Sequence, residues 1–199
     1  MPPKKKFTKD QIVDAAFEIA KQEGIDSITI RKVATKLGSS IAPIYVNFND
    51  ADELVREVIH KTVELSNHIL QENHTGNPFH DMGVASLRFA RDYSVLFRVL
   101  VWNPNKYVHE YEQEMNPVLL DQMKEDADLQ GFSDDELRLI LLKMRACTLG
   151  LSIMVANGMM PEDVDEKAVI QIMDSMAEDV VMTARSRKIE SLDERMDGE

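Results

Sequence analysis

The sequence holds one cysteine, Cys147, in 199 residues. A single thiol excludes an intrachain disulfide and a cysteine-based metal site. Long apolar runs are missing too. The longest charge-free apolar stretch, Ala146–Met160, is interrupted by Thr148, Gly150, Ser152, Asn157 and Gly158. It falls short of the roughly 18 apolar residues that a membrane-spanning helix takes. Met1–Lys6 is basic, but a polar amphipathic segment follows it rather than the apolar core of a secretory signal. No segment alternates at period two over strand length, no repeat is present, and no glycine loop could cradle a phosphate. The histidines, His60, His68, His74, His80 and His109, match no metal-site spacing. These absences lead to the expectation of a cytoplasmic protein with no membrane span, no metal, no cofactor and no catalytic residues.

What is present is charge and helical periodicity. The chain carries 35 acidic and 23 basic residues, a formal net charge of -12, and its 44% hydrophobic content is enough for a core. The charge is uneven. Up to Asn49 there are 8 Lys+Arg against 5 Asp+Glu, and beyond it 15 against 30. A small basic module on an acidic body is a pattern that suits nucleic acid at one end.

Start and stop signals divide the chain into helices. Thr8 and Gln11 form a capping box with Phe7 and Ile12 as its staple, and Gly24 is placed to end that helix in a left-handed conformation. Thr29 caps a second, short helix closed by Gly38. Ser40 is the expected cap of a third, running to about Phe48, and Asp50 of a fourth. Asn77-Pro78, Asn103-Pro104 and Asn116-Pro117 read as helix starts or kinks. Ser133 and Glu136 make a second capping box. The helix after it is apolar on nearly all sides, so burial is expected. Asp165 starts the last helix, and the polar tail after Lys188 is expected to fray. The spacing predicts an all-α chain of about nine helices.

The short helices between Thr8 and Phe48, with a tight turn at Leu37-Gly38-Ser39-Ser40, have helix-turn-helix proportions. A helix that enters the major groove needs an outer face without acids. Ile41, Ala42, Pro43, Tyr45, Val46 and Asn47 meet that need.

The same residues carry a family resemblance. Ile30-Arg-Lys-Val-Ala34, Leu37-Gly38-Ser-Ser, Ile44-Tyr45-Val-Asn-Phe48 and Asp52-Glu53-Leu54 resemble the N-terminal domain of TetR-family transcriptional regulators. The resemblance is specific over about residues 8–55 and only architectural after residue 60. It implies a helix-turn-helix domain over residues 1–49 and an effector-binding and dimerisation domain over residues 50–199. It implies a homodimer on palindromic double-stranded DNA, most simply a repressor released by a small, mainly apolar molecule. Thr29 and Tyr45 match phosphate-contacting positions, Arg31 reaches a base or phosphate, and Ser40, Ile41, Ala42, Pro43 and Asn47 complete the DNA face. Lys4, Lys5 and Lys6 form a candidate basic arm. Ile41, Pro43, Asn47 and Ala51 replace residues the family usually has there, which leaves fewer charged phosphate contacts.

In the body, Met82, Phe89, Phe97, Trp102, Tyr107, Tyr111, Met115, Met123 and Met144, with Arg145 as a polar partner, are the candidate pocket. Leu151, Met154, Val169, Met173, Met176 and Val180, on helices expected at 133–157 and 165–187, are the candidate dimer face. Two alternatives stay open. One is a ligand-independent DNA-binding or protein-interaction factor on the same fold. The other is a helical enzyme, which the missing catalytic constellation disfavours.

Overall fold

The computed structural model describes residues 7–72, 75–102, 117 and 119–196. Among them there is no strand, and the helices follow in the order α1 (Lys9–Glu23), α2 (Ile30–Lys36), α3 (Ala42–Tyr45), α4 (Ala51–Glu72), α5 (Pro78–Asp92), α6 (Ser94–Trp102), α7 (119–125), α8 (Asp134–Ala156) and α9 (Glu166–Met196). The fold is all-α, with a small helix-turn-helix unit followed by a larger helical body.

Local chemistry sets most helix starts. At α1, Gln11 N donates to Thr8 Oγ1 at 3.2 Å and Thr8 N donates back to Gln11 Oε1 at 3.0 Å. Ser133 and Glu136 repeat the arrangement at α8. Thr29, Asp50, Asn77 and Asp165 each accept a backbone N–H of the following turn, which starts α2, α4, α5 and α9. Gly24 ends α1 with φ +89° and ψ 162°, an extended glycine conformation rather than the expected left-handed helical one.

Three expectations need correcting. Ser40 does not cap α3. The helix is a single turn with Ile41 at its cap position and no side-chain cap, and Pro43 sits in its first turn. Backbone bonds onto Ile44 O then carry the chain to Phe48. The last helix does not stop at residue 187 but continues to Met196, through a stretch with good helix formers. Helix α8 is not buried on all sides. Only 28% of its most apolar stretch is covered, although by length and composition it is apolar enough to cross a membrane. Its inner side packs on α5 and α9, and Arg138, Lys143 and Arg145 interrupt it, as befits a bundle helix.

One core runs through the N-terminal helices and into the body. Ile12, Ala16, Val33, Ile44, Phe48, Leu54 and Val58 pack with Phe89, Ala90, Leu96 and Phe97 of α5 and α6. A second cluster joins Leu119, Leu120 and Met123 of α7 to Leu137, Ile140 and Leu141 of α8. A third sets Val84 and Leu87 of α5 against Leu151, Val169 and Met173. At this last crossing Gly83 is in close approach: a Cβ on it would stand 2.2 Å from Met173 Sδ.

Candidate nucleic-acid interface and body cavity

The α2–α3 unit begins from a conflict. Helix α2 must stop and the chain reverse within a few residues. Gly38, at φ +60°, takes the left-handed turn that other residues adopt at a cost. Gly38 N then donates to Thr35 O at 3.0 Å and Ser39 N to Ala34 O at 2.9 Å, which satisfies the last carbonyls of α2. The side chain of Ser39 is folded in, and its Oγ has no hydrogen-bond partner among the described residues.

Helix α3 is too short to hold itself. Ile44 and Phe48, 0% and 2% exposed, fix it to the core. Asn47 adds a polar pin: its Nδ2 donates to Pro43 O at 2.9 Å and to Phe7 O at 3.4 Å. That leaves Ile41, Ala42, Tyr45 and Val46 on the outer side, all exposed. Ser40 is exposed at the turn and Pro43 half-buried. Asn47 was expected on the DNA face, but its amide hydrogens are engaged inward.

Charge on this face has one sign. From Ser27 to Asn49 there is no acid and there are three cations, Arg31, Lys32 and Lys36. Lys32 pairs with Glu23 at 2.6 Å, whereas Arg31 and Lys36 meet no acid among the described residues. Thr29 Oγ1 accepts from Lys32 N, so its hydroxyl proton is free for an outside acceptor. Lys9 and Lys61 are engaged in ion pairs with Glu57 and Asp14. Lys4, Lys5 and Lys6 lie outside the described residues.

In the body a cavity of about 670 Å³ lies between the start of α5, the turn at Ala127–Leu129, α8 and α9. Its apolar lining comes from Leu129, Met144, Met173, Met176, Val181 and Met182, beside Cys147 and Thr148. Polar groups stand at its edge. His80 Nδ1 lies 2.8 Å from Asp174 Oδ1, and Arg185 donates to the carbonyl of Asp128. Asp126 and Glu178 complete a rim in which carboxylates outnumber cations.

The expected pocket residues do not converge here. Of those among the described residues, Met144 alone lines the cavity. Phe89 stacks on Tyr93 at 5.6 Å and meets Phe97 edge-on at 6.5 Å, inside the core shared with the N-terminal helices. Met123 is fully buried against α8, and Met82 packs half-buried on the same cluster. Arg145 is half-buried on α8. Tyr107, Tyr111, Met115 and the side chain of Trp102 lie outside the described residues. Sequence reasoning missed His80, Asp174 and Arg185. They pair with atoms distant in sequence, and no local pattern announces such a partner.

The expected dimer residues also divide. Leu151, Val169 and Met173 are 7%, 5% and 6% exposed within the protomer. Met154, Met176 and Val180 are half-buried. The exposed large apolar residues of the same two helices are Leu139, Leu142 and Leu149 on α8 and Ile172 and Met182 on α9.

Known proteins resemble this chain most clearly at its N-terminus. Residues 12–58 match the family described as bacterial regulatory proteins, tetR family. Over 48 residues the chain is 31% identical to the nicotine-responsive transcriptional repressor HdnoR of Paenarthrobacter nicotinovorans, a match that covers 24% of this chain and 25% of that protein. The chain thus spans about a quarter of the length of that curated relative. Two solved structures share the fold over far more. A TetR-like transcriptional regulator from Rhodococcus sp. RHA1 aligns with TM-score 0.63 at 14% identity, over 85% of this chain and 92% of that one. A proposed transcriptional regulator from Saccharomonospora viridis, in complex with choline, aligns with TM-score 0.64 at 17% identity, over 85% and 95%.

Proposed function

We propose that the chain, whose residues 12–58 match the tetR family of bacterial regulatory proteins, is a one-component transcriptional regulator, a repressor that binds duplex DNA as a homodimer and is released by a small molecule. The observation that carries the reading is the acid-free, outward face of α2 and α3 on a chain whose net charge is -12. A polyanion with a groove matches a narrow helix flanked by the cations Arg31 and Lys36. Arg31, Lys36, Thr29 and the Tyr45 hydroxyl are the groups available to phosphates. The relatives are named as regulators, which favours this reading over an enzyme and is consistent with work in the cytoplasm.

The dimer face we assign to the exposed stripe of α8. Leu139, Leu142, Ala146 and Leu149 recur at helical spacing, and Gly150 has open space around its Cα. Small residues between leucines let a second copy approach closely. Paired with α9, two such helices form a four-helix bundle between protomers.

The effector site we assign to the cavity of about 670 Å³, a volume within the range of small-molecule pockets. Its methionines suit an adaptable, mainly apolar ligand. The carboxylates at its rim disfavour an anionic one. A cavity also favours an effector-controlled protein over a ligand-independent factor. Release follows from linkage: α8 and α5 line or border the cavity, α6 packs on both α8 and α1, and α4 joins α1 to α5. An effector that shifts this stack by a coupling of about 1–3 kcal/mol changes operator affinity correspondingly.

The test is selection of duplexes from a random-sequence pool by the purified protein, followed by binding titrations. A twofold-symmetric sequence should be enriched, with affinity that falls as salt rises. Tyr45→Phe should weaken binding to every duplex alike without changing the melting temperature. No enrichment of any duplex would falsify the regulator reading.

A further inference from the structure

A recognition helix that reads bases by hydrogen bonds presents arginine or lysine to guanine, or asparagine or glutamine to adenine. Helix α3 has no such group free. Asn47, just beyond it, is the only amide between Ile41 and Phe48, and both hydrogens of its Nδ2 go to backbone carbonyls, Pro43 O and Phe7 O. Arg31 and Lys36 belong to α2. What α3 offers instead is apolar: Ile41 is 45% exposed, Val46 is 50% exposed, and Ala42 is open beside them.

Branched aliphatic side chains exposed at both ends of one helical turn are costly to keep in water. The floor of the major groove carries one apolar feature on its base pairs, the 5-methyl group of thymine. Resting on the DNA-binding reading, we propose that α3 specifies its site chiefly by apolar contact with thymine methyls, through Ile41, Ala42 and Val46. Tyr45 and the α2 cations hold the phosphates around it. Specificity then comes from shape and methyl burial, whereas the salt-sensitive part of affinity comes from α2 and Tyr45.

The experiment uses the full-length protein and the duplex enriched from the random pool. Each thymine of a half-site is replaced in turn by deoxyuridine, which removes the methyl and keeps the hydrogen-bonding edge. Replacement at a contacted position should weaken binding by roughly fourfold, the value of one buried methyl-sized group, and on the order of tenfold when both half-sites are changed. The slope of log affinity against log salt should be the same for both duplexes, because no phosphate contact is lost. Ile41→Ala and Val46→Ala, both at exposed positions, should each abolish the thymine–uracil difference at one position. Equal binding of thymine and deoxyuridine duplexes by the wild type overturns the proposal. So does a penalty that persists unchanged at every position in both variants, since it then arises from the DNA. An enriched site with only G·C pairs under α3 overturns it as well. Failure to enrich any duplex is a different result, which removes the regulator reading itself.

Discussion

Asn47 shows how a residue type misleads when its partners are distant. An asparagine on a recognition helix suggests adenine contact, but Phe7 O, 40 residues away in sequence, takes one of its hydrogens. The capping residues Thr8, Thr29 and Ser133 were legible because their partners lie three residues on. Asp81 was not. It is 1% exposed and accepts from Thr75 N at 2.9 Å, Thr75 Oγ1 at 2.6 Å and Gly76 N at 3.3 Å, tying the α4–α5 loop through contacts that no motif advertises. Ser39 gives a prediction at this scale. Its buried hydroxyl lacks a partner among the described residues. Ser39→Ala should therefore leave stability unchanged or raise it by about 1 kcal/mol in chemical denaturation. A loss of that size would mean that the hydroxyl has an essential partner.

Among the elements, α8 carries the clearest electrostatic signature. Glu136 accepts from Ser133 N at 2.7 Å and from Lys188 Nζ of α9 at 2.9 Å. Those bonds, the backbone one foremost, lower its pKa from 4.5 to about 2. The folded-state value lies below the unfolded one. The stabilisation is therefore complete above about pH 4.5 and is lost as the pH falls toward 2. With 37% of the side chain exposed, solvent screening keeps the effect modest. Glu136→Gln should lower the melting temperature at pH 7 and match the wild type near pH 2. An unchanged gap across that range would show that the Lys188 contact contributes nothing. Element boundaries were less legible where tertiary packing decides. α3 shrank to one turn because Ile44 and Phe48, not a cap, hold it. The apolar circumference of α8 predicted burial, but periodicity cannot tell a protomer's own core from a partner's surface.

For the whole molecule, the uneven charge and the helical pattern were readable, since both are sums over many residues. The body cavity was not, because its walls come from four separate stretches of chain and depend on how α8 and α9 lie together. Of the residues expected at the dimer face, Leu151, Val169 and Met173 are buried within the protomer, and Met154, Met176 and Val180 are half-buried. Leu142, 63% exposed, is the sharper probe. Leu142→Asp should fold as a monomer and raise the dimer Kd by roughly 100-fold or more, since an unpaired charge buried between copies costs several kcal/mol. A dimer of unchanged strength, by sedimentation, would move the interface elsewhere.

In the proposed function, two copies present α2–α3 to one symmetric DNA site. Sedimentation equilibrium of the full-length protein mixed with its enriched duplex tests this most directly. Complexes with an even number of protomers per symmetric duplex are expected, and none on a single half-site at the same concentration. A stable complex of one protomer on one asymmetric site would contradict it.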